Sequence, residues 1–314
     1  MLLLSEDQTR DALLFPDLID ALADMFRTGC EMPTRHHHDM EVPGEPDATM
    51  LLMPAWLPGS FAGVKVVNVM PGNSARNLPA VSAQYLLSDA RTGAMLALVD
   101  GGELTARRTA AASALAARYL ARSDARHLLV VGAGRLAANL VEAHMAVRPI
   151  EEVTVWGRSL EKAEALAQDL RGRFPVTIQA AENLDEALGN ADIVSAATLS
   201  VEPLICGKAV KPGTHVDLVG AFKPSMRESD DELIRRAQIF VDTRDGCLSE
   251  GGDIVQPLRS GVLSKDDVKA DLYELCRGGH PGRQSDAEIT LFKSVGAALE
   301  DLAGAILAFR NTQG

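Results

Sequence analysis

No apolar run in this 314-residue chain approaches the ~20 residues of a membrane-spanning helix, so no membrane partner is expected. Basic residues are in deficit: 31 Lys and Arg against 43 Asp and Glu leave a formal net charge of -12. That balance argues against nucleic acid or an anionic membrane surface as a partner. It leaves room for a small anionic substrate, because a local cluster of cations overrides the global field. Cysteine is scarce: Cys30, Cys206, Cys247 and Cys276 stand far apart, without metal-ligand spacing. They read as reduced thiols of a cytoplasmic protein. Met1-Leu2-Leu3-Leu4 is followed at once by Ser5-Glu6-Asp7, so neither a secretory core nor a basic flank is expected. Internal repeats and low-complexity segments are also absent. What is present, 46% hydrophobic beside 24% charged residues, suits a globular protein with a sizeable core. The length suggests one large or two ordinary domains.

The most informative stretch is residues 127–146. Leu128–Val131 is a short apolar run with the composition of a buried parallel strand. Gly132-Ala133-Gly134-Arg135-Leu136-Ala137 follows directly, a G-x-G-x-x-A turn entering an amphipathic helix. Gly132 would allow the tight turn, Gly134 the close approach of a pyrophosphate, and Ala137 close helix–strand packing. Helix amides would then face the phosphates. This predicts a dinucleotide site in which Gly132, Ala133, Gly134, Arg135 and Leu136 surround the pyrophosphate.

Around this motif the chain changes character twice. Ser5 and Gln8 have the spacing of a capping box, and Leu18, Ile19, Leu22, Met25 and Phe26 form a helical stripe. Residues 64–70, 81–87 and 95–99 read as strands separated by Gly- and Pro-containing turns, and 103–120 as an Ala-rich helix. From 127 the pattern alternates, with strands expected at 128–131, 152–156, 176–179, 192–196, 214–219 and 239–242. Helices are expected at 135–147, 159–171 and 183–189. Such alternation predicts an α/β fold, a Rossmann doubly wound parallel sheet over residues 121–286. Residues 288–310 read as one long helix returning to the first domain. That domain, 1–120 with 287–314, is then discontinuous and α+β.

The second strand of the nucleotide fold ends Trp156-Gly157-Arg158-Ser159, with no acid to bind ribose hydroxyls. Arg158, Ser159 and Lys162 offer cations and a hydroxyl suited to a 2′-phosphate, favouring NADPH, with NADH as the alternative. Ala197, Thr198, Val219 and Gly220, at the carboxyl ends of later strands, are expected to border the nicotinamide. On the substrate side Lys65 is embedded in an apolar strand, and Arg108 lies among small residues of a helix. Arg107 points about 100° away along that helix and is expected to be solvated. Arg35 precedes His36-His37-His38, whose side chains would alternate between faces in a strand, so no metal site is expected.

These segments together resemble the ornithine cyclodeaminase/mu-crystallin family nearly from end to end. The matching pieces are Gly63-Val64-Lys65, Leu104-Thr105-Ala106-Arg107-Arg108-Thr109-Ala110, Gly132-Ala133-Gly134, Gly220-Ala221, Glu250-Gly251-Gly252-Asp253, and residues 288–296. The resemblance implies a homodimeric nicotinamide enzyme whose N-terminal domain binds substrate and dimerises. It also implies that Lys65 and Arg108 bind the substrate carboxylate, with Arg35 assisting. Members include ornithine cyclodeaminases, alanine dehydrogenases, ketimine reductases and a non-catalytic lens crystallin.

Two departures choose among them. Cyclodeaminases carry an aspartate directly after the Gly-Gly or Gly-Ala pair, where this chain has Phe222. A phenyl ring can neither accept a proton nor orient a nucleophile. The missing acid after Trp156 is the second departure, and both resemble the ketimine reductases. Ala80 also replaces a hydroxyl-bearing residue of the cyclodeaminases, with Ser82 the candidate substitute. The resemblance therefore implies reduction of a cyclic α-imino acid, delta-1-pyrroline-2-carboxylate to L-proline or its six-membered piperideine analogue to L-pipecolate. Lys65 is the candidate proton donor. An ornithine cyclodeaminase or amino-acid dehydrogenase is the alternative, and would need Asp217 or Glu228 as its acid.

Overall fold

The computed structural model describes residues 1–313, and of Ser74 the backbone alone. Contacts divide the chain into two units, Met1–Arg108 with Ala298–Gly314, and Thr109–Ala297. The first contains β1 (Leu2–Leu4), α1 (Glu6–Ala12), α2 (Phe15–Thr28), β2 (His36–Met40), β3 (Ala48–Trp56), β4 (Phe61–Val69), β5 (Val81–Asp89), β6 (Met95–Asp100) and the start of α3 (Gly101–Leu120). The second continues with β7 (His127–Val131), α4 (Ala137–Met145), β8 (Glu152–Trp156), α5 (Leu160–Arg171), β9 (Thr177–Ala181), α6 (Leu184–Asn190), β10 (Ile193–Ala196) and β11 (His215–Leu218). It ends with α7 (Asp231–Arg236), β12 (Ala237–Val241), α8 (Arg244–Ser249), α9 (Gly252–Ser260), β13 (Val268–Asp271), α10 (Leu272–Cys276) and β14 (Ile289–Lys293). Helix α11 (Ala298–Asn311) closes the first unit.

In the first unit the sheet order is β1-β6-β5-β4-β3-β2, antiparallel except for the β1–β6 pair. Strand alternation gives it two distinct faces. Met53, Lys65, Tyr85, Leu87, Ala97 and Val99 share the buried face. Helix α11 packs on strands β3 to β6 and on α2. The apolar stripe of α2 is buried as its periodicity requires, and Ser5 caps α1 in a reciprocal box with Gln8. The opposite sheet face keeps Met50, Leu52, Val64, Val66, Leu86 and Leu98 half-exposed.

The second unit is an eight-stranded, wholly parallel sheet in the order β13-β12-β14-β11-β10-β7-β8-β9. The chain winds from β7 to β9 in one direction, then restarts on the other side of β7 with β10. Ligands bind such sheets at the carboxyl ends beside this switch point. Two expectations need correction. Residues 288–310 are not one helix: β14 is a fully buried strand between β11 and β12, and α11 starts only at Ala298. Gly296, at φ 80, interrupts the chain between them. The expected boundaries after 120 and before 287 accordingly move to 108/109 and 297/298. Ala117, Ala121 and Ala125 already belong to the apolar core under the parallel sheet, and β14 is one of its inner strands.

Candidate active site

In the first unit, Lys65 of β4 and Arg108 of α3 meet on a single carboxylate. The Lys65 Nζ lies 2.7 Å from Asp301 Oδ2 and donates to Oδ1 at 2.9 Å. The Arg108 Nε donates to the same Oδ1 at 3.0 Å, and its Nη1 to Glu300 Oε2 at 2.6 Å. Lys65 also donates to the Thr105 hydroxyl at 3.3 Å. Both cations and both acids are buried. Burial lowers the Lys65 pKa to about 8; Asp301 opposes that shift, while Arg108 and Arg35 add to it. Arg35, half-buried just before β2, therefore belongs to the same field as the two cations the sequence singled out. Gly63 is required beside them, because a Cβ there would lie 2.4 Å from the Tyr85 hydroxyl.

Glu300 and Asp301 were not foreseen in the sequence. Two adjacent, fully buried acids in an Ala-rich helix break the amphipathic pattern, and that break was the available signal. Arg107 corrects an expectation in the opposite direction. It is buried, donates to the Leu13 carbonyl at 2.6 Å and stacks 4.1 Å from the centroid of Phe15. Its guanidinium is a structural tie, which satisfies a carbonyl just past α1.

In the second unit a cleft of about 410 Å³ opens at the carboxyl ends of β7, β8 and β10. Gly132, Ala133, Gly134, Arg158, Ser159, Lys162, Ala197 and Thr198 line it. Gly132 has φ 118, and a Cβ there would approach the Ala197 carbonyl to 2.9 Å. Gly134 has nothing within 4 Å of its absent Cβ, so the space over the turn is open. The Ala137 amide at the start of helix α4 donates to the Gly134 carbonyl, and no side chain caps the helix to compete with an anion there. The open glycine turn and uncapped helix fit a dinucleotide pyrophosphate. Arg158 and Lys162 are exposed at the mouth, while the Ser159 hydroxyl caps α5 by accepting from the Lys162 amide. A larger recess of about 1200 Å³, which shares Trp156 and Leu204 with this cleft, is lined by Glu152, Glu182, Asp185 and Glu186. Its carboxylates would repel phosphate.

Four expected cofactor residues lie outside the cleft lining: Arg135, Leu136, Val219 and Gly220. Arg135 is exposed, and Leu136 is the residue before α4. Val219 and Gly220 are buried, with their amides engaged by Ala196 O and Glu228 Oε2. They can shape the site but cannot donate hydrogen bonds to a ligand. The two acids considered for a cyclodeaminase are engaged as well. Asp217 accepts from the hydroxyls of Ser113 and Ser195 inside the core. Glu228 accepts from the Thr198, Gly220 and Ala221 amides. Phe222 itself is 43% exposed, with Lys223 Nζ 5.7 Å from its ring centroid. The three consecutive histidines lie on edge strand β2, and no His, Cys, Asp or Glu cluster among the described residues is arranged to hold a metal.

Comparison with known proteins agrees with this fold. A delta(1)-pyrroline-2-carboxylate reductase of Paracoccus denitrificans is 44% identical, over 95% of this chain and 93% of its own. The structure of Thermococcus litoralis delta(1)-pyrroline-2-carboxylate reductase, in complex with NADH and L-proline, superposes with a TM-score of 0.91. It is 35% identical, with 100% of this chain and 98% of that one covered. An archaeal alanine dehydrogenase dimer with bound NAD gives a TM-score of 0.90 at 31% identity, covering 100% and 96% of the two chains. The model of the ornithine cyclodeaminase/mu-crystallin family matches residues 2–314, and the chain belongs to that family.

Proposed function

We propose that this protein reduces a cyclic α-imino acid, delta-1-pyrroline-2-carboxylate to L-proline, with a nicotinamide dinucleotide as hydride donor. The observation that carries the reading is the buried pair Lys65 and Arg108, aligned on Asp301, in a chain with Phe222 after Gly220-Ala221. The charges of Lys65, Arg108, Glu300 and Asp301 cancel formally. Arg35, whose charge acts on Lys65, is the third cation proposed at the substrate carboxylate. Arginine forks suit a planar carboxylate in a bidentate arrangement. The bound cofactor supplies a hydride to the C=N carbon. Lys65, with its pKa near 8, supplies the proton that the ring nitrogen takes up, and is reprotonated from water. Most of the rate gain on the protein's side is positioning.

NADPH is the favoured cofactor because Arg158 and Lys162 line the cleft and no acid is among its lining residues. The half-exposed apolar face of the six-stranded sheet supports a homodimer formed through a second copy of this chain, as does the dimeric alanine dehydrogenase. Four free thiols support a cytoplasmic location. A panel of five- and six-membered cyclic imino acids, run with NADPH and NADH in parallel, tests the reading. The five-membered ring should be reduced to proline, and Arg158→Ala should raise the KM for NADPH far more than that for NADH. Conversion of ornithine to proline and ammonia with catalytic NAD, without imine reduction, would overturn it.

A further inference from the structure

Two motifs singled out in the sequence, Glu250-Gly251-Gly252-Asp253 and the segment ending β14, have no part in the chemistry above. In the structure both converge on Glu228. The Glu228 carboxylate accepts from the Thr198 amide at 2.7 Å and the Thr198 hydroxyl at 2.8 Å, both through Oε1. Its Oε2 accepts from the amides of Gly220 at 2.7 Å and Ala221 at 3.3 Å. One side chain thus bridges the loop after β10 to the loop after β11. The backbone of Glu228 is fixed in turn: Asp253 Oδ1 accepts from the amides of Glu228 and Ser229, each at 2.9 Å. Lys293 Nζ stands 3.4 Å from Asp253 Oδ2 and donates to the Leu218 carbonyl at the end of β11. The ring of contacts closes on the strand it started from.

The packing leaves no slack in this bridge. A Cβ on Gly220 would lie 1.8 Å from the Thr198 carbonyl and 2.7 Å from Glu228 Oε1, so only glycine lets the two loops approach. We propose that Glu228 is a positioning residue for the nicotinamide end of the cofactor, acting in its ionised form to hold the loops of Thr198 and Gly220 together. The assignment rests on the dinucleotide reading of the cleft. A carboxylate with four donors and no proton is the form this geometry requires, since a protonated acid would present its own hydrogen to one of those donors. The charged groups facing Glu228 are Lys293 from β14 and Asp253 from α9; its other partners are uncharged. Burial raises its pKa to about 7, opposed by Lys293 and the Thr198 bonds and reinforced by Asp253. The clamp therefore tightens as pH rises through neutrality.

The test combines Glu228→Gln with two readouts that need no turnover. Fluorescence titration of NADPH and NADH between pH 6 and 8.5 should show wild-type affinity rising with pH. The variant should bind roughly ten- to a hundredfold more weakly at pH 8.5, the scale of losing one or two charge-assisted hydrogen bonds. Its affinity for NADH, which lacks the titrating 2′-phosphate, should not vary with pH, and the KM for the imino acid should stay near wild type. Hydrogen exchange of the cofactor-free proteins should show faster exchange confined to residues 197–200 and 219–222. Unchanged affinity, a pH-independent wild type, or loss of protection throughout the sheet would each overturn the clamp. Absence of any dinucleotide binding would overturn both this role and the cofactor reading. Binding without imine reduction would sink only the proposed substrate.

Discussion

Asp301 sets what Lys65 and Arg108 can do, because a single oxygen, Oδ1, accepts from both. Without it two buried cations would repel each other, and Lys65 would lose the main influence opposing its fall in pKa. Asp301→Asn should therefore lower kcat/KM at least tenfold at pH 7.5. It should also move the alkaline limb of the pH profile, near pH 8 in the wild type, down by about one unit. An alkaline limb that stays in place or moves upward would remove Asp301 from the proposed chemistry. Lys65 and Arg108 were legible in the sequence because a lysine among β-branched residues, or an arginine among alanines, departs from its local pattern. Asp301 was not, because it is 236 residues from Lys65 and 193 from Arg108. Nothing local pairs an acid with cations so distant. Arg107 shows the converse, since helical periodicity indicated its direction but not the Leu13 carbonyl waiting there.

Elements with a single clear period emerged close to expectation, among them α2, the strands β4 to β6, and the alternation from β7 to β10. Strand β14 was hidden for a physical reason. Its five residues, Ile289–Lys293, are apolar enough for a buried strand or a helix turn, and an Ala-rich helix follows shortly after. Only its place between β11 and β12 decides the matter. The glycine turn after β7 is the opposite case, since there the backbone itself dictates the residue. Gly132→Ala would force a side chain into φ 118 and against the Ala197 carbonyl. A destabilisation of about 1–3 kcal/mol is expected, which lowers Tm by roughly 2–4 °C for each kcal/mol in a unit of this size. Gly134→Ala meets open space and should leave Tm near wild type while weakening dinucleotide binding, because its methyl group would occupy the pyrophosphate's approach. Calorimetry and cofactor titration of the two variants separate these effects. Equal Tm losses would refute the distinction.

For the molecule as a whole, pH dependence of stability follows from two buried groups of opposite sign in the parallel-sheet unit. His215 is fully buried on β11, its Nδ1 2.9 Å from the Thr290 hydroxyl. Burial, with His144, Arg283 and Arg148 nearby, holds its pKa well below the ordinary 6.5. The unfolded chain then binds the proton that the fold refuses, so this contribution is complete above pH 6.5 and is lost as pH falls. Glu228 does the reverse. Its pKa rises from 4.5 to about 7 on folding, so its contribution is complete below pH 4.5 and is lost as pH rises toward 7. Between pH 4.5 and 6.5 the two slopes oppose each other, each about 1.4 kcal/mol per pH unit. Glu228→Gln removes one of them and leaves His215 unopposed. Urea unfolding at half-unit steps from pH 4.5 to 6.5 should therefore give the variant a steeper rise of stability with pH than the wild type, by about 1.4 kcal/mol per unit. Taking the difference between the two proteins cancels every group they share. Parallel curves would mean that Glu228 is already ionised across this range, and that its clamp does not respond to pH.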